Sequence, residues 1–456
     1  MAKRIAVVLG IAVLAGVVLF FVLRGKPARD APNRPPFAWR HLQQSVAKQA
    51  APSAQVEQGE AVPLKMLDRA ALKQPTQPPP ATGGIKSSDV PEDNGMHWFL
   101  LAAELMPGMD PNLREVEDNI LEFGWRDDSR LADQIERCRE AFEAARKGLE
   151  VGNAMLPPAD PHDPTPYQPR WRDLCRMMTL DALMRASRGN YDAALGGFSE
   201  ILSFIVESSR GGNFIGHNIA AAMQRSAAIQ LCKTLQSPAM SAQQCRTAME
   251  RLAALDANAP GAADAFSVDV DMMEYHFNKH KASPDNLHNS MKNWGDGVKQ
   301  FAETATPEQC IEVYRQHVDK TRQAVPLFEA PIYEFDDAAF QNLVAGDIMS
   351  QNTLPMYRGM LNTEALGRVF RRGSILVAAI EAYHRDKGAY PANLDALASS
   401  VSAELPNDPF TGAPFGYVQQ GAGYLLYSAG INMLDDGGKG KPWDAKQDDC
   451  VIVRRE

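Results

Sequence analysis

Cysteine is scarce in this chain, with six in 456 residues, and so few cannot form the dense framework of bridges that holds a disulfide scaffold together. A positive surplus is missing too. Lys and Arg number 47 against 56 Asp and Glu, the formal charge is -9 and the pI is about 5.6, which offers no basic surface to a phosphate backbone and excludes general nucleic-acid binding. No G-x-S-x-G elbow, phosphate-cradling glycine loop or dinucleotide fingerprint occurs. The expectation is therefore a non-enzyme. Long apolar runs are absent except for one, Ile5 to Leu23, which at about 1.5 Å per residue covers a hydrocarbon core of roughly 30 Å. No small-x-small cleavage site follows Leu23, so the run reads as a single transmembrane anchor over 1–24 rather than a cleaved signal. Lys3 and Arg4 precede it, and Arg24, Lys26 and Arg29 follow; that count taken alone leans against export.

Composition then divides the rest. Residues 25–94 are rich in Pro, Ala, Gln and Gly, with Pro35-Pro36 and Pro78-Pro79-Pro80. Such a segment cannot offset its ordering entropy by burying a core, and as a coil it reaches roughly 45 Å. It reads as a disordered linker. Residues 95–360 show helical periodicity: Leu131, Ile135, Cys138, Phe142, Ala145 and Leu149 fall on one face of a single helix. Ser241 and Gln244 form a capping box ahead of an inner face carrying Cys245, Met249 and Leu252. Cys232 and Cys245 lie about equally far from the Ser237-Pro238 break, which leaves a bridge or two buried thiols open. Pro157 to Pro169 is a proline-rich loop.

Within that region Gly189 to Leu202, GNYDAALGGFSEIL, resembles the turn and second helix of a tetratricopeptide repeat. Asp181 and Arg185 stand where that pattern expects Leu and Tyr, and no second copy follows at the repeat interval. An isolated hairpin and a repeat array both remain open. Together with SPAMSAQQCRTAMERLAAL, the region is similar to the helical middles of anchored bacterial envelope proteins without established activity.

Residues 361–456 begin with a helix expected from about Thr363 to Lys387. Leu366, Val369, Phe370, Val377, Ile380 and Tyr383 form its apolar side, with charge on Arg368, Arg371 and Arg372. Gly388 is suited to end it. Strands follow around Phe415 and Tyr417, at Tyr424 to Ser428 across a Gly421-Ala422-Gly423 turn, and at Cys450 to Val453. G-x-Y-P, L-P-x-D-P-F-x-G-x-P and Y-S-x-G-x-N occur in that order, and the stretch resembles the globular head of type II secretion major pseudopilins. The resemblance implies a small antiparallel sheet on the long helix and a periplasmic location. It also implies calcium in the last loop, with Asp435, Asp436, Asp444 and Asp448, and Asp449 beside them, as hard oxygen ligands. The apolar run lacks the early glutamate of pseudopilins, so polymerisation in that manner is not expected.

His276 and His280 are one helical turn apart near Asp271 and Glu274, a spacing that can share a metal. Phe277 occupies the position where a zincin needs its glutamate. The expected protein is mostly α. It is expected to have an inner-membrane anchor, a linker, a helical domain and an α+β module in the periplasm, and to bind a cell-envelope protein as an accessory to a type II secretion or pilus-like assembly. A metal-dependent envelope hydrolase and a ligand-binding helical domain are the alternatives.

Overall fold

The computed structural model describes residues 85–156, 167–397, 404–439 and 449–455. The expected anchor, the linker up to residue 84, most of the proline-rich loop, and Asp444 and Asp448 lie outside them. All described residues belong to one compact unit, Ala47–Glu456. Among them no helix is long and apolar enough to cross a membrane.

The fold is mostly helical, as expected, with one three-stranded antiparallel sheet near its C-terminal end. The last residues assigned to the linker, 85–94, are folded. Ile85 and Val90 are buried in the main core, and Ser87 donates from its amide and its hydroxyl to Glu104. Two apolar side chains suffice to anchor that short stretch against α1 (Gly95–Leu105), which Asn94 caps.

After α2 (Arg114–Phe123), the single helix expected over Leu131 to Leu149 is two, α3 (Ser129–Arg137) and α4 (Arg139–Val151), broken at Cys138. The apolar face continues across the break, which is why periodicity alone did not reveal it: Leu131, Ile135, Cys138, Phe142 and Ala145 are all buried. α5 (Tyr167–Ser187) and α6 (Tyr191–Ser208) form an antiparallel hairpin whose turn uses Gly189 at φ 78°. Asn190 caps α6, and Tyr191 reaches the Ser237 hydroxyl at 2.9 Å.

α7 (Phe214–Leu235) and α8 (Ala242–Asn258) follow, and the capping box at Ser241 and Gln244 forms as read. The bridge between Cys232 and Cys245 does not form. Both are buried free thiols, because both helices pack chiefly on a third helix rather than on each other. Cys232 lies 3.3 Å from the Ser374 hydroxyl, and burial pushes its thiol up to about 12.

A second small core forms where α9 (Ala262–His280), α10 (Pro284–Met291), α11 (Asp296–Thr304) and α12 (Pro307–Glu329) meet. Leu287, Met291, Val298, Cys310 and Tyr314 fill it. After α13 (Asp337–Val344) comes the third helix, α14 (Ile348–Lys387), 40 residues long. It starts well before Thr363, so the boundary expected between 360 and 361 falls inside one continuous helix. Arg371, expected on its charged side, is buried between α7 and α8 and paired with Asp256. Gly388 ends the helix at φ 71°, its amide bonded to the His384 carbonyl.

The sheet runs β1 (Gly416–Gln420), β2 (Gly423–Ser428), β3 (Cys450–Arg455), antiparallel throughout. β2 is covered on both faces. It docks on α14 where Gly373 leaves room for Ile452; a Cβ at Gly373 would lie 2.4 Å from the Ile452 Cδ1. Gly373→Leu is therefore expected to lift the sheet from the helix and cost about 1 to 3 kcal/mol. A lowered urea midpoint, with protease cutting first after residue 388, checks it; an unchanged midpoint refutes the docking.

Candidate functional site

Three helices of the hairpin region enclose a cleft of about 140 Å³, lined by Phe142 and Arg146 of α4, Met178, Asp181 and Arg185 of α5, and Ala193, Gly196, Gly197 and Glu200 of α6. Its floor is apolar, since Phe142 and Met178 are buried. Its walls are ion pairs. Arg146 donates through Nε to Glu200 at 2.9 Å, bridging α4 to α6. Asp181 accepts from Arg139 at 2.9 Å and from Arg185 Nε at 2.9 Å, tying α4 to α5. Asp181 and Arg185 are the two residues that depart from the tetratricopeptide pattern, and here they build a polar wall. In the sequence Asp181 and Arg185 show only as misfits to the repeat, and Arg146 and Glu200 leave no signal, because a cross-helix pair has no fixed spacing.

The two glycines of α6 have different causes. A Cβ at Gly197 would touch the Ala182 Cβ at 3.4 Å, so its absence lets α6 approach α5. A Cβ at Gly196 would meet nothing within 4 Å. That glycine leaves open space in the cleft wall.

The acidic loop after β2 is described up to residue 439 and again from Asp449. Its described part passes over the outer face of the sheet, where a Cβ at Gly438 would lie 2.7 Å from both Leu425 and Tyr427 side chains. Asp435 accepts from the Tyr427 hydroxyl at 2.8 Å and from the Gly437 amide at 2.9 Å. Asp436 accepts from the Asn432 amide group at 3.0 Å. Asp449 is buried and accepts from the Asp436 and Gly438 amides; burial pushes its carboxyl above the ordinary range, and those two amides oppose the shift. Each of these aspartates is thus engaged by donors, and no group of three acidic, histidine or cysteine side chains able to hold a metal ion occurs among the described residues.

His276 and His280 lie against each other with ring centroids 4.3 Å apart and planes tilted by 54°, His276 buried against Tyr314. Glu274, the nearest acid in sequence suited to a base, pairs instead with Arg322 at 2.6 Å. A second cluster places Asp347, Ser350 and His317 together. The Ser350 hydroxyl donates to Asp347 at 2.7 Å, and His317 Nδ1 lies 3.1 Å from the same hydroxyl. The order carboxylate, hydroxyl, imidazole is not that of an activated nucleophile, whose proton must pass to the histidine. Ser350 is fully buried, and burial drops the His317 imidazole to about 4. The cluster joins α12 to the start of α14.

Asp269 is the most perturbed carboxyl that remains near neutrality. It sits on α9 beside Phe214, Phe266, Phe328 and Tyr357, and accepts from the Phe214 amide at 2.7 Å and from the Tyr357 hydroxyl. Burial pushes it up to about 7, against both hydrogen bonds. An acid raised from about 3.8 to about 7 binds its proton more tightly in the folded chain, so this group's contribution to stability falls as pH rises through that window and is level above it. Asp269→Asn is expected to flatten the fall in Tm between those two pH values; a wild-type profile already flat there refutes the assignment.

No family model, no curated protein and no solved structure matches the chain.

Proposed function

We propose that the chain is a single-pass, membrane-anchored periplasmic protein whose helical body and pseudopilin-like module act together as a scaffold binding another envelope protein, as an accessory to a type II secretion or pilus-like assembly. The observation that carries this is α14. One helix supplies the central surface for α7 and α8 and the base for the sheet, an arrangement suited to holding two recognition surfaces at a fixed distance. The described histidine, serine and acidic clusters are engaged in packing and ion pairs, which favours binding over catalysis. A periplasm-dependent reporter fused after Glu456 is expected to be active, and a crosslinked envelope partner to remain bound to the intact protein through detergent extraction. Activity of a cytosolic reporter alone at that position overturns the proposal.

Calcium belongs to the same proposal, with Asp435, Asp436, Asp444 and Asp448 as the hard oxygen ligands; Asp435 and Asp436 each use one carboxylate oxygen in hydrogen bonds, which leaves the other to a cation. Calorimetric titration of the intact protein with calcium should give heat and a higher Tm. If both are missing, the loop is held by its own hydrogen bonds alone.

A further inference from the structure

We propose that the cleft between α4, α5 and α6 binds a carboxylate carried on a short apolar stem; this deepens the scaffold proposal and rests on it only for the identity of a protein partner. Three features of the cleft specify the ligand. The first is charge. Arg146 and Arg185 of the lining face Asp181 and Glu200, and Arg139 beside them joins Asp181 to Glu136, so the ion pairs balance and, in a chain whose formal charge is -9, the walls carry no negative surplus to repel an anion. The three guanidinium side chains are partly buried, each only about a third exposed or less, at 29%, 33% and 33%.

The second is donor capacity. Asp181 already takes two guanidiniums. Arg146 gives only its Nε to Glu200, and its two terminal nitrogens have no partner among the described residues. A guanidinium with both terminal nitrogens uncommitted presents parallel N–H groups that match the two oxygens of a carboxylate. The rim thus offers donors more than acceptors, which favours an anion over an ammonium.

The third is shape. The floor of Phe142 and Met178 is apolar, and the volume of about 140 Å³ holds a stem of a few carbons, no more. Gly196 keeps that volume open from the α6 side. Alanine at a helix interior position is worth about 1 kcal/mol over glycine; a glycine with nothing in front of it therefore has no packing reason to be there, and space for a ligand supplies one.

A stemmed carboxylate has two sources, a free short-chain acid or a glutamate side chain of a partner, and paired probes separate them. Butyrate and butyramide test the first; Ac-Ala-Glu-Ala-NH2 and Ac-Ala-Gln-Ala-NH2 test the second. Calorimetry and amide chemical shifts on the intact protein are expected to show at least tenfold tighter binding of the acid in one pair or both. Butyrate alone binding identifies a small-molecule site, and binding of the Glu peptide identifies a protein anchor. Arg146→Gln removes the terminal donors and Gly196→Leu fills the space; each should abolish binding at unchanged or higher Tm, while Gly196→Ala serves as the folding control. The proposal is overturned if neither acid binds, if an amide binds as well as its acid, or if folded Gly196→Leu binds like the native protein. When the acids fail and the crosslinked envelope partner is still retained, the cleft assignment falls and the scaffold stands.

Discussion

Replacing Glu381 with alanine is expected to destabilise the protein by about 2 to 4 kcal/mol, because it leaves two partly buried guanidiniums without their counter-ion. Glu381 is fully buried on α14. One carboxylate oxygen accepts from Arg385 at 2.6 Å, and the other accepts from Arg455 of β3 at 2.9 Å, with the Tyr390 and Tyr424 hydroxyls at 3.4 and 3.3 Å. Arg385 also donates to the Leu235, Ser237 and Met240 carbonyls around the turn between α7 and α8. A single carboxylate thus links the long helix, the last strand and that turn. Glu381→Gln keeps the volume and one acceptor but loses the charge, and should cost about 1.5 to 3 kcal/mol. Urea denaturation followed by tryptophan fluorescence measures both. Alanine costing less than 1 kcal/mol would mean water reaches the site and the linkage is not real.

The second large effect is at Asp256. It holds Arg371 and, at 2.9 Å, Arg372, and these reach on to Gln224 and to the Asn407 carbonyl. Burial raises its carboxyl, but the two guanidinium charges more than offset this and hold it below the ordinary value. Asp256→Ala is expected to cost about 3 to 5 kcal/mol, chiefly from Arg371 left charged and buried. The double variant Asp256→Ala, Arg371→Met removes that charge and fills similar space, so it should recover most of the loss. A double-mutant cycle reads the coupling; equal losses in single and double variants would show that packing rather than charge is at stake.

Local signals were legible. The box at Ser241 and Gln244, the Gly388 stop and all three strands follow from short-range chemistry, and each stands within a few residues of its expected place. The start of α14 was not, because Pro355 lies inside it. A proline in a helix interior costs about 3 kcal/mol, and burial of Met349, Leu354, Tyr357 and Leu361 on either side offsets that. No single-sequence pattern carries such tertiary compensation. The same limit hid the pairs that join distant segments, Asp256 with Arg371 and Glu381 with Arg455, and the Arg146 to Glu200 wall of the cleft. Asp181 and Arg185 were visible only as misfits to a repeat pattern. Of the acidic loop, composition gave the aspartates and could not tell that Asp435 and Asp449 would brace the backbone.

Because Arg455 pairs with Glu381 and Ile452 packs at Gly373, one face of α14 is completed only by residues 450–455 of the last strand. Without those residues Glu381 keeps Arg385 alone, and the helix face at Gly373 loses the Ile452 side chain that covers it. A chain ending before β3 therefore loses a cation and an apolar contact from the same helix face at once.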